Sequence, residues 1–332
     1  VSTPDGMFKV SQSKVKTWRR CHYAYHLRYV EKLRKKVKSR PLQFGTIVHS
    51  MLEAHAEGDD PFDALRAAEE TNEKLFAAEQ EIYGEIIDDI RQIMTEYFAY
   101  YEDGELKFDR RNRRNSEFEF EIELMDGVLW NGKIDAIGRT PNRLRWIVEN
   151  KTFTRKPNDD ERWRNLQSST YIRLNEMMGW PHVEGMCWNY IRSKSPTKPG
   201  ILKGGSLSQK SIDTLPITVR ETIHELGLDP KDYSEFLAKT NEKLGEWFSR
   251  IHTPVNRAVV DNIFDDFMFS IREMMEGHGR VKDKNIDKHC GWCDYQALCR
   301  TELESGDVDY MMQHDYTRSS RGDEDLAVTP EN

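Results

Sequence analysis

An α/β chain with a mixed central sheet flanked by helices is predicted by three features of the sequence. The first 105 residues carry helical periodicity punctuated by helix caps and stops. From Ser116 to Thr152 the pattern changes to period-two alternation broken by turn signals. A helical stretch and then an apolar strand follow, from Asp160 to Arg192. At 332 residues the chain is long enough for about two domains, or for one large domain with insertions.

Ser11 to Val30 reads as one helix, because a Ser11 or Ser13 side-chain oxygen can accept the free amide protons of a first turn. Lys32 to Arg40 is a basic connection ending at Pro41, and a helix over Gln43–Glu57 stops at Gly58. Two further helices are expected over Pro61–Glu81 and Glu85–Tyr101, joined near Gly84. Phe118, Phe120, Ile122 and Leu124 alternate with Glu117, Glu119, Glu121 and Glu123, which marks a strand with one wet face. Asp126-Gly127 signals a hairpin turn into a second strand, Val128–Ile137. Pro141-Asn142 turns the chain into a third, Leu144–Thr152. A helix over Asp160–Met178 precedes a strand over Val183–Arg192. Ser195–Gly205 is expected to be a mobile loop and Ser206–Thr214 a returning strand. Helices are expected over Pro216–Leu226, Tyr233–Arg250 and Val260–Gly277. The tail from Glu302 is acidic and polar, and it is expected to lack structure, above all after about Tyr316.

Composition narrows the function classes. No window approaches the ~18 consecutive apolar residues of a membrane helix, and the first nine residues lack a signal pattern, so a cytosolic protein is expected. The net charge of −8 argues against non-specific coating of nucleic acid. The charge is uneven, however. Lys14 to Arg40 is strongly basic, with Glu31 its only acid, whereas Glu302 to Glu331 is acidic. Among 5 cysteines, the C-x₂-C-x₅-C trio Cys290, Cys293 and Cys299 implies a shared metal, because thiolates repel one another unless a cation holds them. Cys21, Cys187 or His289 can supply a fourth ligand, and zinc and an iron–sulfur cluster both suit the spacing.

The chemistry is concentrated in the meander. Asp135 ends Trp130-Asn131-Gly132-Lys133-Ile134-Asp135, and Glu149-Asn150-Lys151 ends the apolar run Trp146-Ile147-Val148. Glu149 and Lys151 share one face of a strand, and antiparallel pairing can bring Asp135 beside them. Two carboxylates at the end of a buried strand call for a partner, and a divalent cation is the natural one. A neighbouring lysine can polarise a phosphate or orient an attacking water. Taken alone, Glu-x-Lys is a common triplet and also reads as a surface ion pair.

Gly45 and His49 (Gly-x-x-x-His), Gly132 and Asp135, Glu149 and Lys151, and Gln167 and Tyr171 (Gln-x-x-x-Tyr) occur in an order that resembles the RecB-type motif set of the PD-(D/E)XK nuclease superfamily. The resemblance implies a restriction-endonuclease-like core. It implies that His49, Asp135, Glu149 and the Asn150 carbonyl hold Mg²⁺ or Mn²⁺, that Lys151 is the catalytic lysine, and that Gln167 and Tyr171 support the site. The usual Pro before the motif aspartate is Ile134 here, as is common in the RecB-like branch. The segment from Ser11 to Tyr29 around Cys21 resembles the N-terminal cysteine segment of the iron–sulfur branch, which includes the AddB nuclease domain and the CRISPR-associated Cas-four exonucleases. This implies a [4Fe–4S] cluster on Cys21, Cys290, Cys293 and Cys299. Where that branch usually has Pro after the first cysteine, His22 stands. Cys187 is then a buried core thiol.

Four parts are therefore expected: an N-terminal helical part (1–105), a nuclease core (106–280), a C-terminal iron–sulfur clasp (281–301) and the tail (302–332). The basic runs Lys32–Arg40 and Arg110–Arg114 are expected to meet DNA phosphates, and Trp163, Trp180 and Trp188 to sit in the core. The expected activity is a metal-dependent DNA exonuclease acting on single-stranded ends, in recombination, repair, replication or CRISPR adaptation. No G-x-x-x-x-G-K-[ST] helicase loop is present, so an unwinding or recombinase partner is a separate protein. The competing class is a non-catalytic DNA-binding adaptor with a structural clasp. Cleavage assays with Mn²⁺, with and without EDTA, separate the two.

Overall fold

The structure, a computed structural model, describes residues 6–101, 104–108 and 118–319. Strand β1 (Phe8–Val10) leads into helix α1 (Gln12–Arg20), which Ser11 caps by accepting the Lys14 amide proton. At Cys21 the backbone is extended, and α2 (His22–Tyr25) then continues as a π-type turn to Val30. The expected single helix is thus broken at Cys21, which turns the thiol out of helical register. β2 (Leu33–Lys35) precedes α3 (Arg40–Glu57), with Pro41 in its first turn and Gly58 left-handed at its end. Then come α4 (Pro61–Glu73), α5 (Ala77–Tyr83) and α6 (Ile86–Tyr100).

The strands β3 (Lys107–Phe108), β4 (Phe118–Met125), β5 (Val128–Ile134), β6 (Ala136–Arg139) and β7 (Arg145–Phe153) follow. Helices α7 (Asp159–Trp163) and α8 (Leu166–Met177) carry the chain to β8 (Gly185–Arg192). Beyond it lie α9 (Pro216–Glu225), α10 (Ser234–Glu242), α11 (Leu244–Trp247), β9 (Phe248–Pro254) and α12 (Arg257–Gly277). Last come α13 (Gln296–Leu303), α14 (Val308–Asp315) and β10 (Tyr316–Arg318).

The strands form three sheets. The main one is mixed, in the order β3-β6-β7-β8-β9, and only β7 and β8 are parallel. The hairpin β4-β5 joins β1 in a second sheet, so the expected continuous strand Val128–Ile137 is divided at Asp135 between two sheets. Every residue of β7 is buried, as expected for a central strand covered on both faces. One core, with Trp18, Trp130, Trp188 and Phe267, lies between the main sheet and α1, α8 and α12. A second, with Phe44, Met51, Ile93 and Trp247, packs α3 and α6 on the other face.

Several expectations differ from the structure. The stretch expected as helix over Tyr233–Arg250 ends at Trp247 and becomes the edge strand β9, where Phe248 is buried against its neighbour strand. Residues 206–214 form only an isolated bridge, Ile201 to Leu207. The tail carries α14 and β10 within 302–319, because the Tyr316 ring is buried with Tyr23, Leu33 and Leu298. The cluster Arg110–Arg114 lies outside the described residues. No helix among the described residues is long and apolar enough to cross a membrane.

Candidate active site

The site forms where β7 passes the break between β5 and β6. Ala136 pairs with Val148 in antiparallel register, which sets Asp135 opposite Glu149. Asp135 Oδ2 accepts the Asn150 amide proton at 2.7 Å, and its other oxygen faces His49 Nδ1 at 3.6 Å. His49 reaches this point because α3 lies close on β7. A side chain at Gly45 would meet Thr152 Oγ1 at 3.3 Å, so glycine is what lets the helix approach. Along β7, Lys151 Nζ donates to Glu149 Oε1 at 2.9 Å and to Gln167 Oε1 at 3.1 Å. Gln167 Nε2 donates to the same Glu149 oxygen at 2.6 Å. Tyr171, one turn along α8, donates from its hydroxyl to the Lys133 carbonyl at 2.6 Å.

Burial governs the electrostatics. It pushes the Glu149 carboxyl up to about 7, against the pull of Lys151 and with the Asp135 charge adding to the rise. Burial also raises Asp135, but His49, the Asn150 amide and Lys151 outweigh it and hold that carboxyl below its ordinary value. Two buried polar atoms, Glu149 Oε2 and His49 Nε2, have no hydrogen-bond partner. A carboxylate oxygen and an imidazole nitrogen left bare beside a second carboxylate are a donor set that suits a divalent cation. Among the described residues no group of three or more His, Cys, Asp or Glu side chains is gathered tightly enough to hold a metal ion as it stands. Glu149 instead leans on Lys151 and Gln167.

The family model of the PD-(D/E)XK nuclease superfamily matches residues 9–300. The chain belongs to the PD-(D/E)XK nuclease superfamily. The match spans every element from α1 to the last cysteine of the trio. Among solved structures the chain is similar to a protein named as a "Putative exonuclease" from Eubacterium rectale, with 14% identity and a TM-score of 0.34 over 84% of this chain and 91% of that one. It is also similar to SSO0001, with 14% identity and a TM-score of 0.29 over 88% and 94%. No curated protein matches. Superfamily membership makes the protein a nuclease of a group that typically works with Mg²⁺ or Mn²⁺, and makes nucleic acid its substrate.

Away from this nuclease site, Cys21, Cys290, Cys293 and Cys299 line one cavity of about 230 Å³, together with His289. All four thiols are free and half-buried. Burial raises the Cys299 thiol, and nearby Cys21, Cys293 and Cys290 add to the rise, so the four lie within electrostatic reach of one another. Cys187 is fully buried in β8, where burial lifts its thiol to about 12. Of the tryptophans expected in the core, Trp188 is fully buried but Trp163 is 52% exposed, at the end of the short helix α7. In the basic run, Arg40 is occupied by the Tyr83 carbonyl and Asp89, whereas Lys35 and Lys38 are exposed.

Sequence reasoning missed the residues behind Asn150. Asn189 is 1% exposed and links Asn150 to Tyr97. The available signal was an amide in the middle of the otherwise apolar run Met186 to Ile191.

Proposed function

We propose that this protein is a metal-dependent deoxyribonuclease of the iron–sulfur branch, acting as an exonuclease on single-stranded DNA ends. The observation that supports it most is the meeting of Asp135, Glu149, Lys151 and His49, with one bare buried atom each on Glu149 and His49. His49, Asp135, Glu149 and the Asn150 carbonyl would hold the metal, and the imidazole favours Mn²⁺ over Mg²⁺. Bound there, the ion supplies Lewis acidity to the scissile phosphate and eases deprotonation of the attacking water. Lys151 meets the charge that builds on the phosphate oxygens as water adds to phosphorus and the P–O bond to the leaving nucleotide breaks. Gln167 bonds both Glu149 and Lys151, and Tyr171 anchors the helix that carries Gln167.

Cys21, Cys290, Cys293 and Cys299, which line one cavity, would hold a [4Fe–4S] cluster that clasps early and late parts of the chain; zinc is the alternative occupant. In this reading residues 1–105 form the helical part, 106–280 the nuclease core and 281–301 the cluster segment. Exposed Lys35 and Lys38 would guide DNA phosphates, and a separate helicase or recombinase would supply ends in recombination, repair, replication or CRISPR adaptation.

Single strands labelled separately at the 5′ and 3′ ends test the reading. Mn²⁺-dependent shortening from an end, stopped by EDTA and absent in Glu149→Ala, is expected. Internal cuts would replace the exonuclease reading, and no cleavage of DNA by the purified, metal-supplied protein would remove the deoxyribonuclease reading.

A further inference from the structure

Asn150 occupies the middle of Glu149-Asn150-Lys151, so its side chain leaves β7 on the face opposite the two charged ones. It cannot reach a phosphate bound beside Lys151. Only its main chain borders the site, through the amide that donates to Asp135 Oδ2 at 2.7 Å. The side chain instead enters a buried polar row. Asn150 pairs with Asn189 across β7 and β8, and Asn189 pairs with Arg250 across β8 and β9. Asn189 Nδ2 donates to Asn150 Oδ1 at 2.7 Å. Asn189 Oδ1 accepts from the Tyr97 hydroxyl at 3.0 Å and from Arg250 Nε at 3.5 Å. Arg250 Nη2 donates to the Tyr97 oxygen at 3.0 Å.

The row is closed at its far end. The Arg250 side chain is 5% exposed, its guanidinium lies 3.7 Å from the centre of the Tyr101 ring, and it faces Glu105 at 3.7 Å. Each member is therefore held by at least two others or by packing, and the row ends at Asn150. Rotation of the Asn150 peptide would swing its amide away from Asp135 and change the projection of Glu149 and Lys151 on either side.

We infer that Asn189, Tyr97 and Arg250 are positioning residues that fix the Asn150 peptide, and through it the relative placement of Asp135, Glu149 and Lys151. They act from behind the sheet and touch no substrate. The inference rests on the metal-dependent nuclease reading above. Partners of this kind, one bond removed from a metal ligand, typically change metal affinity or activity by about 10–100-fold when lost.

The test compares wild type with Asn189→Leu, Asn150→Leu, the double variant and Tyr97→Phe. Mn²⁺ binding is followed by the electron paramagnetic resonance of the free ion, alongside the Mn²⁺ dependence of single-strand cleavage. Asn189→Leu is expected to weaken Mn²⁺ binding and raise the half-saturating Mn²⁺ concentration by about 10-fold or more. Saturating metal should recover part of the rate. The double variant should lose no more than the stronger single variant, because both cut one bond. Tyr97→Phe keeps the ring in place and removes only a hydroxyl, so it provides the same readout if the leucine variants do not fold. It should shift half-saturation in the same direction by a smaller factor. Wild-type Mn²⁺ binding in folded Asn189→Leu or, failing its folding, in Tyr97→Phe would reduce the row to a packing element and overturn the inference. A wild type that binds no Mn²⁺ and cuts no DNA would overturn the nuclease reading and the inference together, a result distinct from the first.

Discussion

Lys151 keeps its ammonium in a place where only 9% of the side chain meets solvent, and Glu149 is buried still further beside it. Such a pair is retained in a fold only with good geometry and further hydrogen bonds, and Gln167 supplies these to both partners. Lys151→Met preserves the volume and removes the charge. Cleavage is expected to fall by about 10²–10³-fold, with a lower melting temperature, because the buried Glu149 carboxylate loses its counter-charge. A folded variant that keeps its rate would remove Lys151 from the mechanism.

The Glu149 carboxyl also sets a pH signature for the metal-free protein. Its folded value of about 7 lies above the ordinary 4.5, so the folded state holds the proton more tightly than the unfolded one. Stability from this group is fully present below 4.5 and is lost as pH rises through about 7. In EDTA, melting temperature should therefore fall between about pH 5 and pH 8. Glu149→Gln should flatten that fall, and Mn²⁺ should raise the wild-type melting temperature most at the alkaline end. A wild-type profile that rises across this window would show that burial does not dominate at Glu149.

At the scale of elements, α3 and β7 meet through a glycine. A Cβ added at Gly45 would lie 3.3 Å from Thr152 Oγ1, a contact tight enough that the neighbour must give way, and a branched side chain adds more bulk there. Gly45→Val should push α3 outward, carry His49 away from Asp135, and lower cleavage more than Gly58→Asn, which alters the end of the same helix. Equal activities would show that His49 does not depend on the contact. The clasp offers a second case. Tyr316 of β10 is 2% exposed, stacks on Tyr295 and donates to the Asp294 carbonyl at 2.7 Å. Tyr316→Ala should cost roughly 3–5 kcal/mol, the range for deleting a buried aromatic ring. Chemical denaturation measures it, and a loss below about 1 kcal/mol would mean that β10 is not integral to the fold.

Over the whole molecule, residues 20–35 and 285–318 are joined without any cluster. β2 pairs with β10, the Tyr295 hydroxyl donates to the Leu33 carbonyl, and Asn285 donates to the Arg20 carbonyl. The four cysteines open on this junction. Protein purified without oxygen is expected to be brown with about four irons per chain. Cys21→Ala should lose iron and melt lower, whereas Cys187→Ala should keep its iron. The opposite pattern would reassign the fourth ligand, and stoichiometric zinc without iron would remove the cluster. Reversing the charges of Lys35 and Lys38 should weaken DNA binding and flatten its dependence on salt, because fewer counterions are released. An unchanged slope would place the DNA path elsewhere.

Local chemistry made much of this protein legible from its sequence. Alternation over 118–124, the Asp126-Gly127 turn and the Gly58 stop all depend on neighbours a few positions apart. They sufficed for the fold class, whereas the grouping of Asp135, Glu149, Lys151, Gln167 and Tyr171 came from the resemblance of the motif order to a known family. Tertiary structure alone decided what depends on distant partners. Phe248 to Pro254 is a strand because β8 offers an open edge there, although its pattern continues a helix. The stretch 308–318 takes up regular structure because Tyr316 packs with residues almost 300 positions earlier, Tyr23 and Leu33. The row Asn150, Asn189, Arg250 arises only when three strands come into register. Hydrogen bonds between strands carry no period within any one of them, so a single sequence shows such a row only as scattered polar residues in apolar surroundings.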